Sequence, residues 1–452
     1  MINRREFLGL TAGAGATLAL TPELLRAVQH QSGKLIQRTI PSTGEMLPVI
    51  GLTLSNHASC ANPAALREVL KTFVDNGGRL FDTFHQNSPT AEAVTVKLVN
   101  ELGIQNKLFY SWRSLPIPPA NAAPPPPPAG TPGSPPPLPD SATLKPHLEA
   151  ISAKLRVPKL DLVMTGAVDA PRLAALKEAK RAGLVRYIGV TGTDPQVEAV
   201  MRNEPIDFIG VHYTIASASS YAIANRSIEE TLLPLAQERK IGVVSFFPFG
   251  GANGASCTGD AGLFARVKNR PLPEWAAEFD AKTWAQFLLK YVVSHPAITV
   301  VRVGTTNATH MLDDIGGGIG RLPNEAMRKR MTELFDSFPQ PSLPQRGAPP
   351  PTPAPQGPEV ALSAAVLDRY VGEFKTPSGA VFTFRRDGTT LYVKPPGATP
   401  EGPLVARSET RLSDARGPVF EFQLDGQGRV IGAYYEQPGP VGAQRVWLAP
   451  RQ

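Results

Sequence analysis

Short apolar strands alternate with helical runs between residues 49 and 303, and this alternation limits the possible folds more than any other feature. Glycines bound most of the strands, and the runs between them carry apolar residues at helical spacing. The predicted strands are residues 49–53, 79–82, 107–112, 160–164, 186–190, 208–211, 241–246 and 299–303. Such alternation is typical of a parallel sheet, and eight strands can close into a barrel. We therefore predict an α/β fold, a (β/α)8 barrel, with a hairpin over residues 35–50 that closes its bottom.

Two proline-rich tracts divide the chain. Residues 339–358 are predicted to be a linker, so that the barrel domain spans residues 34–338. Residues 114–140 lie between the third strand and the third helix, where their prolines prevent both helix formation and strand pairing. This insertion is therefore predicted to be exposed. A tolerated surface expansion is favoured, and a docking element is the alternative.

The last segment, residues 359–452, has a different pattern. Apolar and polar residues alternate, with turn residues between the alternating runs, which predicts a small antiparallel β domain. A helix near residues 361–370 is predicted to open it. The pattern resembles the lipocalin-like β modules that are appended to exported bacterial hydrolases, and this resemblance implies a packing or binding role without catalytic residues.

The N-terminal segment, residues 1–33, combines Arg4-Arg5 with Phe7-Leu8 and a short Gly/Ala-rich run. It resembles a twin-arginine export signal, which implies a periplasmic or extracytoplasmic protein that is exported already folded. The run is too short to span a bilayer comfortably, so we expect membrane contact only if the signal stays uncleaved. The formal charge of +7 comes from scattered basic residues without an aromatic-interleaved patch, so no nucleic-acid partner is predicted.

Asp82 is the first candidate functional residue, because it follows a short apolar strand in the stretch GGRLFDTFHQN. Reactive groups of such barrels lie at the C-terminal ends of the strands. The alternative is that Asp82 caps the next helix or fixes a turn. On the third strand, Tyr110 points either into the barrel mouth or into the barrel wall.

Six stretches are similar to sequences of the aldo/keto reductase family and occur in the family's order. They are IPSTGEMLPVIGL, GGRLFDT, VRYIGVTG, IDFIGVHY, RPLPEWAAEFDAKTWAQFLLKYVVSHPAIT and VGTTNATHMLDDI, and they cover roughly residues 40–338. The resemblance implies carbonyl reduction by hydride from NADPH, with NADP or NAD as cofactor and a small-molecule ligand or carbonyl substrate as partner. In this family a tyrosine gives the proton, a lysine and an aspartate tune that tyrosine, and a histidine orients the substrate.

This chain departs from that catalytic tetrad at three of four positions. Asp82 matches the aspartate, whereas Asn87, Arg113 and Gly166 stand where the tyrosine, lysine and histidine are expected. Asparagine cannot release a proton, and arginine stays charged at any usable pH. His85 is the nearest substitute acid, since a histidine titrates in the useful range. The alternative is that His85 is a plain polar residue of the rim.

The resemblance also implies a cofactor site, which is altered here. Thr191 and Gly192 stand where a Ser-Asn pair would hold the nicotinamide amide, and Gly210 stands in place of a glutamine. Phe246 matches the aromatic residue that stacks on the nicotinamide. The segment for the adenosine phosphate is Gly304, Thr305, Thr306 and Asn307, without the cation that would pair with a 2′-phosphate. Its backbone and the helix start could still hold a diphosphate or another anion.

Two cysteines are too few for a disulfide scaffold. The resemblance places Cys60 and Cys257 in loops that flank the cofactor cleft, either as a disulfide or, as favoured, as two free thiols. No metal-ligand spacing is present, so no metal is predicted, although His85, His212 and Asp82 could converge.

These observations leave two main hypotheses. The first is an exported oxidoreductase of the aldo/keto reductase family, loaded with a nicotinamide cofactor before export. The second is a barrel that has lost hydride transfer and binds a small ligand or partner through the same mouth. A metal-dependent or isomerase-type activity using Asp82, His85, Arg113 and His212 is a third alternative.

Overall fold

The structure is a computed structural model of the chain. It describes residues 33–54, 61–85, 89–113, 141–216, 226–250, 262–339, 358–376, 379–397, 399–414, 417–437 and 444–451. Of residues 83–85, 89–91, 141–143, 437 and 444 it describes the backbone alone. The export-signal segment, the proline-rich insertion, most of the linker, Asn87, Cys60 and Cys257 lie outside the described residues. What the sequence predicts for them stays a prediction.

Eight parallel strands close into a barrel, which confirms the predicted (β/α)8 fold. The hairpin consists of β1 (Gln37–Thr39) and β2 (Met46–Pro48). The barrel strands are β3 (Ile50–Thr53), β4 (Leu80–His85), β5 (Phe109–Arg113), β6 (Leu160–Gly166), β7 (Val185–Thr191), β8 (Phe208–His212), β9 (Gly242–Phe246) and β10 (Val300–Val303). Each strand pairs with its neighbour in the chain, and β10 also pairs with β3 and so closes the ring.

Helices surround the barrel strands in the described part of the chain. The α-helices are α1 (Pro63–Asp75), α2 (Pro89–Leu102), α3 (Ser141–Leu155), α4 (Ala170–Arg181), α5 (Asp194–Asn203), α6 (Leu232–Glu238), α7 (Phe264–Val267), α8 (Trp284–Ser294), α9 (Ala308–Gly316) and α10 (Glu325–Asp336). Single 3-10 turns span Gln105–Lys107, Ser227–Glu229 and Glu274–Phe279. Among the described residues, none of the helices combines the length and the apolar character that a membrane crossing requires.

Helix α1 positions the strand that carries Asp82. The side chain of Asn62 accepts a hydrogen bond from the Ala64 N–H and thereby caps the start of the helix. The apolar residues at helical spacing are buried, including Phe73. After the helix, Gly77 adopts φ +84°, a conformation that favours glycine, and a Cβ at Gly78 would lie 2.2 Å from the Phe73 ring. The two glycines therefore allow the chain to turn tightly from α1 into β4.

The hairpin closes the bottom of the barrel, as predicted. Ile40 and Leu47 are fully buried and belong to the same apolar cluster as the inward-facing barrel residues Leu80 and Phe109. This contact buries the lower ends of the strands, so the C-terminal ends form the mouth.

The strands β4 to β8 extend one to three residues beyond their predicted ends. We predicted Asp82 as the last residue of β4. This is wrong, because β4 continues to His85 after an irregularity in the register. The extension follows from pairing: His85 lies opposite Arg113, and Gly166 lies opposite Thr191. Arg113, Gly166 and Thr191, which lie beyond the predicted strand ends, are thus part of the sheet.

The C-terminal segment is antiparallel, as predicted, but it forms a complete second barrel. It begins with the short helix α11 (Ala364–Asp368). Its strands are β11 (Gly372–Lys375), β12 (Val381–Asp387), β13 (Thr390–Lys394), β14 (Gly402–Ala406), β15 (Arg411–Asp414), β16 (Val419–Leu424), β17 (Val430–Gln437) and β18 (Gln444–Pro450). Sequential neighbours pair, and β18 pairs with β11.

Aromatic rings fill the interior of this second barrel. The Tyr370 ring stacks on Phe422 with centroids 4.1 Å apart, and Phe384 contacts both Phe420 and Phe422 edge-on. All four of these rings are buried. Eight strands give an interior that side chains can fill, and such filling favours the packing role over ligand binding. The lipocalin-like assignment stays a prediction.

Candidate functional site

Three charged residues meet inside the mouth of the α/β barrel. Residues two apart on a strand share a face, and the apolar cluster within the barrel contains Leu80, Phe109 and Val300. Asp82 therefore points inward from β4, as does Arg302 from β10. Arg113, four residues beyond Phe109 on β5, shares that inward face. The barrel fold thus brings together residues that lie far apart in sequence.

Both arginines pair with one carboxylate oxygen. Arg302 donates a hydrogen bond from Nη1 to Asp82 Oδ2, and Arg113 Nη2 lies 3.5 Å from the same oxygen. All three residues are buried, with exposed fractions of 0% for Asp82, 4% for Arg113 and 3% for Arg302. The other carboxylate oxygen, Oδ1, and the Nε of Arg302 have no hydrogen-bond partner among the described residues. Asp82 is therefore neither a helix cap nor a turn residue.

Both arginines of the mouth keep their charge although they are buried. Burial lowers the pKa of Arg113 and of Arg302, in each case to about 9. Both guanidinium groups are therefore protonated at neutral pH. Two charged guanidinium groups therefore lie buried beside the Asp82 carboxylate.

The Phe246 ring lies beside both cations. The Arg302 guanidinium lies 4.2 Å from the ring centroid, and that of Arg113 lies 4.9 Å from it. The ring is fully buried. Phe247 lies 5.6 Å from Arg302. Such cation–π contacts contribute about 2 kcal/mol each when they are desolvated, so they offset part of the cost of burying the charge.

The absence of a side chain at Gly210 makes room for the Phe246 ring. A Cβ on Gly210 would lie 2.4 Å from that ring, which is closer than real atoms approach. A glutamine at this position, where the family resemblance implies an amide partner, is therefore incompatible with the observed ring position. The Phe246 ring, which the resemblance implies would stack on a nicotinamide, is next to the guanidinium groups of Arg113 and Arg302. The described residues consequently do not fit the nicotinamide end of the cofactor.

The segment after β10 satisfies much of its own hydrogen bonding. Asn307 caps α9, because its side chain accepts a hydrogen bond from the Thr309 N–H at 2.8 Å. The Thr305 hydroxyl accepts one from the Asn307 N–H at 3.1 Å. Gly304 is exposed and Thr306 is half-buried. The start of α9 remains present for an anion, as the sequence predicts, but part of its donor capacity is already used by Asn307.

Other predicted residues are placed as follows. Thr191 is buried at the end of β7, where its carbonyl accepts a hydrogen bond from Ala167. The His85 backbone lies beside Arg113 at the mouth, and its side chain lies outside the description. Tyr110 donates a hydrogen bond to the Gln105 carbonyl and packs in the outer core, so it belongs to the barrel wall.

His212 lies at the end of β8, half-buried, with its ring 5.1 Å from that of Phe247. Within the described ranges, no group of three or more His, Cys, Asp or Glu side chains is arranged to hold a metal ion. Convergence of His212 with Asp82 and His85 therefore has no support from the described residues.

Arg302 is the site residue that sequence reasoning missed. It is the only polar residue in the strand Val300–Val303, and it shares the inward face with Val300. A lone arginine in an apolar strand of a closed barrel needs a buried partner, because an unpaired buried charge is strongly destabilising. That pattern could have indicated a partner for Asp82.

The described arrangement at the mouth is poorly suited to proton transfer. The Asp82 carboxylate is tied to two cations, and Arg113 and Arg302 hold their protons at neutral pH. General acid catalysis needs a proton available near neutral pH.

The chain is similar to known proteins of one family. The model of the aldo/keto reductase family matches residues 50–329. An aldo-keto reductase from Bacillus halodurans in its holo form is 17% identical over 66% of this chain and 96% of that chain, with a TM-score of 0.49. An aldo-keto reductase from Klebsiella pneumoniae in complex with NADPH is 16% identical over 67% of this chain and 96% of that chain, with a TM-score of 0.47. None of the curated proteins matches the sequence significantly. Because the family model matches more than half of its length, this chain belongs to the aldo/keto reductase family.

Proposed function

We propose that this family member has lost hydride transfer and binds a small ligand at the barrel mouth. NAD(P)H-dependent carbonyl reduction is then its ancestral reaction. The observation that carries the proposal is the burial and ion pairing of Asp82, the one residue of the tetrad that this chain keeps. Its carboxylate is buried and shared by Arg113 and Arg302, so it is not free to tune a catalytic acid.

The proposed loss of catalysis follows from the residues at the other tetrad positions. Reduction of a carbonyl needs a proton donor near neutral pH. Asn87 has no such proton, Gly166 has no side chain, and Arg113 keeps its proton because its pKa of about 9 lies above neutral. We therefore regard the tetrad as degenerate.

The proposed loss of cofactor binding has separate support. Gly210 provides no amide, and the space above it is filled by Phe246. Arg302 lies 4.2 Å from the centroid of that ring. The segment Gly304–Asn307 retains a helix start but no cation for a 2′-phosphate. We therefore expect neither NADPH nor NADH to bind tightly.

A second candidate function is carbonyl reduction with His85 as the acid. Strand β4 continues to His85, and this residue lies opposite Arg113 in the sheet, which brings its backbone to the mouth. If reduction of aldehydes by NADPH is detected, His85→Ala would abolish it under this alternative, whereas His295→Ala, outside the mouth, would leave it unchanged.

Titration of the purified protein with NADPH and NADH, followed by cofactor fluorescence, tests the main proposal. An NADPH-binding reductase of the family serves as the positive control. We expect no saturable binding of either cofactor up to millimolar concentration. Micromolar binding, or cofactor that co-purifies with the protein, would overturn the proposal.

We further propose that residues 1–33 direct export through the twin-arginine route, so that the protein works in the periplasm. Replacing Arg4 and Arg5 together by lysine keeps the charge but changes the motif. Cell fractionation should then find the variant in the cytoplasm and the unchanged protein in the periplasm. Equal periplasmic amounts of both would contradict this route.

A further inference from the structure

We propose that the C-terminal barrel is docked, through the outer face of β16–β18, on the rim of the α/β barrel mouth beside the start of α1. The partner of this face is thus the α/β barrel of the same chain. The inference goes beyond the proposed function and depends on no ligand or cofactor. It is carried by a hydrogen bond between the two barrels and by the uneven burial of the outer face of the second barrel.

The hydrogen bond joins β17 to the residue that caps α1. The backbone N–H of Asn62 donates to the phenolic oxygen of Tyr434. Asn62 lies between β3 and α1, so it belongs to one of the loops at the C-terminal ends of the strands, which form the mouth. Both barrels belong to one compact unit, residues 34–452. The second barrel is therefore in contact with the mouth end of the first.

The start of α1 explains why Asn62 uses an acceptor from another part of the chain. The Asn62 side chain accepts a hydrogen bond from the Ala64 N–H, but the N–H of Asn62 itself lies outside the hydrogen bonding of the helix. In a capping box, a Glu or Gln three residues after the cap accepts this hydrogen bond. Here that residue is Ala65, which has no acceptor in its side chain. The hydroxyl oxygen of Tyr434 takes this place.

The outer face of the second barrel is buried on the side that carries Tyr434. Successive residues of a strand point to opposite sides of the sheet. Ala433 and Leu448 belong to the interior cluster, so their neighbours Tyr434 and Trp447 point outward. Trp447 is nevertheless only 4% exposed. On the opposite side of the barrel, the outward residues of β12 and β13 are half-buried or exposed, namely Val381, Thr383, Arg385, Thr390, Tyr392 and Lys394.

The buried tryptophan and the hydrogen bond belong to the same patch. Tyr434 and Trp447 lie opposite each other in the pairing of β17 with β18, and their ring centroids are 4.9 Å apart. A large outward-facing ring that is shielded from water needs a cover from another part of the molecule. The α/β barrel, which reaches Tyr434 through Asn62, is next to this ring and supplies such a cover.

The second barrel itself fixes the position of the Tyr434 ring. The Arg445 guanidinium lies 3.9 Å from the ring centroid. Arg445 also pairs with Glu421 of β16 at 2.7 Å and with Glu436 of β17 at 3.3 Å. The ring is thus held by residues of its own barrel and presents its hydroxyl as a preformed acceptor. Docking on the rim of the mouth therefore costs little ordering of this side chain.

Hydrogen–deuterium exchange of the full chain, read at single amides, tests the inference. In the unchanged protein the Asn62 amide should exchange more slowly than a solvent-exposed amide, by a factor of about ten or more. Tyr434→Phe keeps the ring and removes the acceptor, so this protection should be lost. Tyr392→Phe is the matched control, because Tyr392 also points outward and has the Arg385 guanidinium 4.5 Å from its ring centroid. It should leave the exchange of Asn62 unchanged.

Tyr434→Ala tests the docking beyond the single hydrogen bond. The amides of Ala64 and Leu66 donate to Asn62, so release of Asn62 from the second barrel should raise their exchange as well, whereas Tyr392→Ala should not. The amides of β16 show whether the second barrel of the variant is still folded. If it is not, the unchanged protein and Tyr434→Phe decide. Unprotected exchange of Asn62 in the unchanged protein, or equal protection in Tyr434→Phe, would overturn the inference.

Discussion

The bottom and the mouth of the α/β barrel both contain arginines beside carboxylates, but the two ends balance their charges differently. At the bottom, Arg186 pairs with Asp161 at 2.7 Å and also with Glu45, which additionally faces Arg79 at 3.5 Å. Burial lowers the pKa of Arg186, but its hydrogen bonds to Asp161 and Glu45 outweigh that effect, so the pKa is raised. Two acids here face two bases, and the hairpin is fixed in place.

At the mouth, two arginines share one acid. Burial lowers the pKa of Arg113 and Arg302 to about 9, the direction opposite to that of Arg186. The bottom is thus a network in which acids and bases alternate, whereas at the mouth Arg113 and Arg302 both reach the same oxygen of Asp82. This difference is what we expect if evolution retained the barrel as a scaffold and adapted its mouth to a ligand.

The largest effect is expected from packing at the mouth. Gly210→Ala places a Cβ 2.4 Å from the Phe246 ring, so it should lower the free energy of unfolding by about 3 kcal/mol. Urea unfolding followed by tryptophan fluorescence measures this. Gly426→Ala, where no atom lies within 4 Å of the new Cβ, should change stability by less than about 0.5 kcal/mol. Equal effects of the two substitutions would refute the described position of the ring.

The next effect concerns the bottom network. Arg186→Gln leaves Asp161 and Glu45 without their main cation, so the free energy of unfolding should fall by about 2 kcal/mol. The same urea experiment measures the loss. Arg79→Gln is the matched control: Arg79 is more exposed and lies 3.5 Å from Glu45, so the loss should be about 0.5 kcal/mol or less.

The corresponding substitution at the mouth should behave differently. Arg302→Gln removes one of the two buried cations that share Asp82, while Arg113 still pairs with it. The free energy of unfolding of the ligand-free protein should therefore change by less than about 1 kcal/mol, or increase. A loss as large as that of Arg186→Gln would mean that the mouth is balanced like the bottom, and the comparison between the two ends would fail.

The smallest effect is a dependence on pH. Arg302 has a folded-state pKa of about 9, below its ordinary value of 12.5, so the cost of burying its charge is fully present below pH 9. Above pH 9 the folded state releases the proton before the unfolded state does, and this contribution to stability rises. Thermal melts should therefore show the unchanged protein gaining stability relative to Arg302→Gln between pH 8 and pH 9.5, by about 0.8 kcal/mol. An opposite trend would contradict the lowered pKa.

Much of the fold could be predicted because it depends on local patterns. Apolar runs bounded by glycine located all eight barrel strands. The closure of the second barrel was not predicted, since it depends on the pairing of β18 with β11, about seventy residues apart. Alternation within a strand does not reveal which distant strand will be its neighbour.

The site was harder to predict, because its interactions are long-range and involve more than one residue. Family resemblance identified Asp82 and Arg113, but Arg302 lies 220 residues from Asp82 and belongs to no motif. The position of the Phe246 ring could not be predicted from either residue alone, because the ring fills the space that the missing side chain of Gly210 leaves. Tyr110 was ambiguous for a similar reason: its direction depends on the register of β5.

A crystal structure of the protein grown with NADPH tests the central claim most directly. The claim is that the mouth residues Phe246, Arg113 and Arg302 no longer form a nicotinamide site. We predict no nicotinamide on the Phe246 ring, with Arg302 still beside that ring. A nicotinamide ring stacked on Phe246, with Arg302 displaced from it, would contradict the claim.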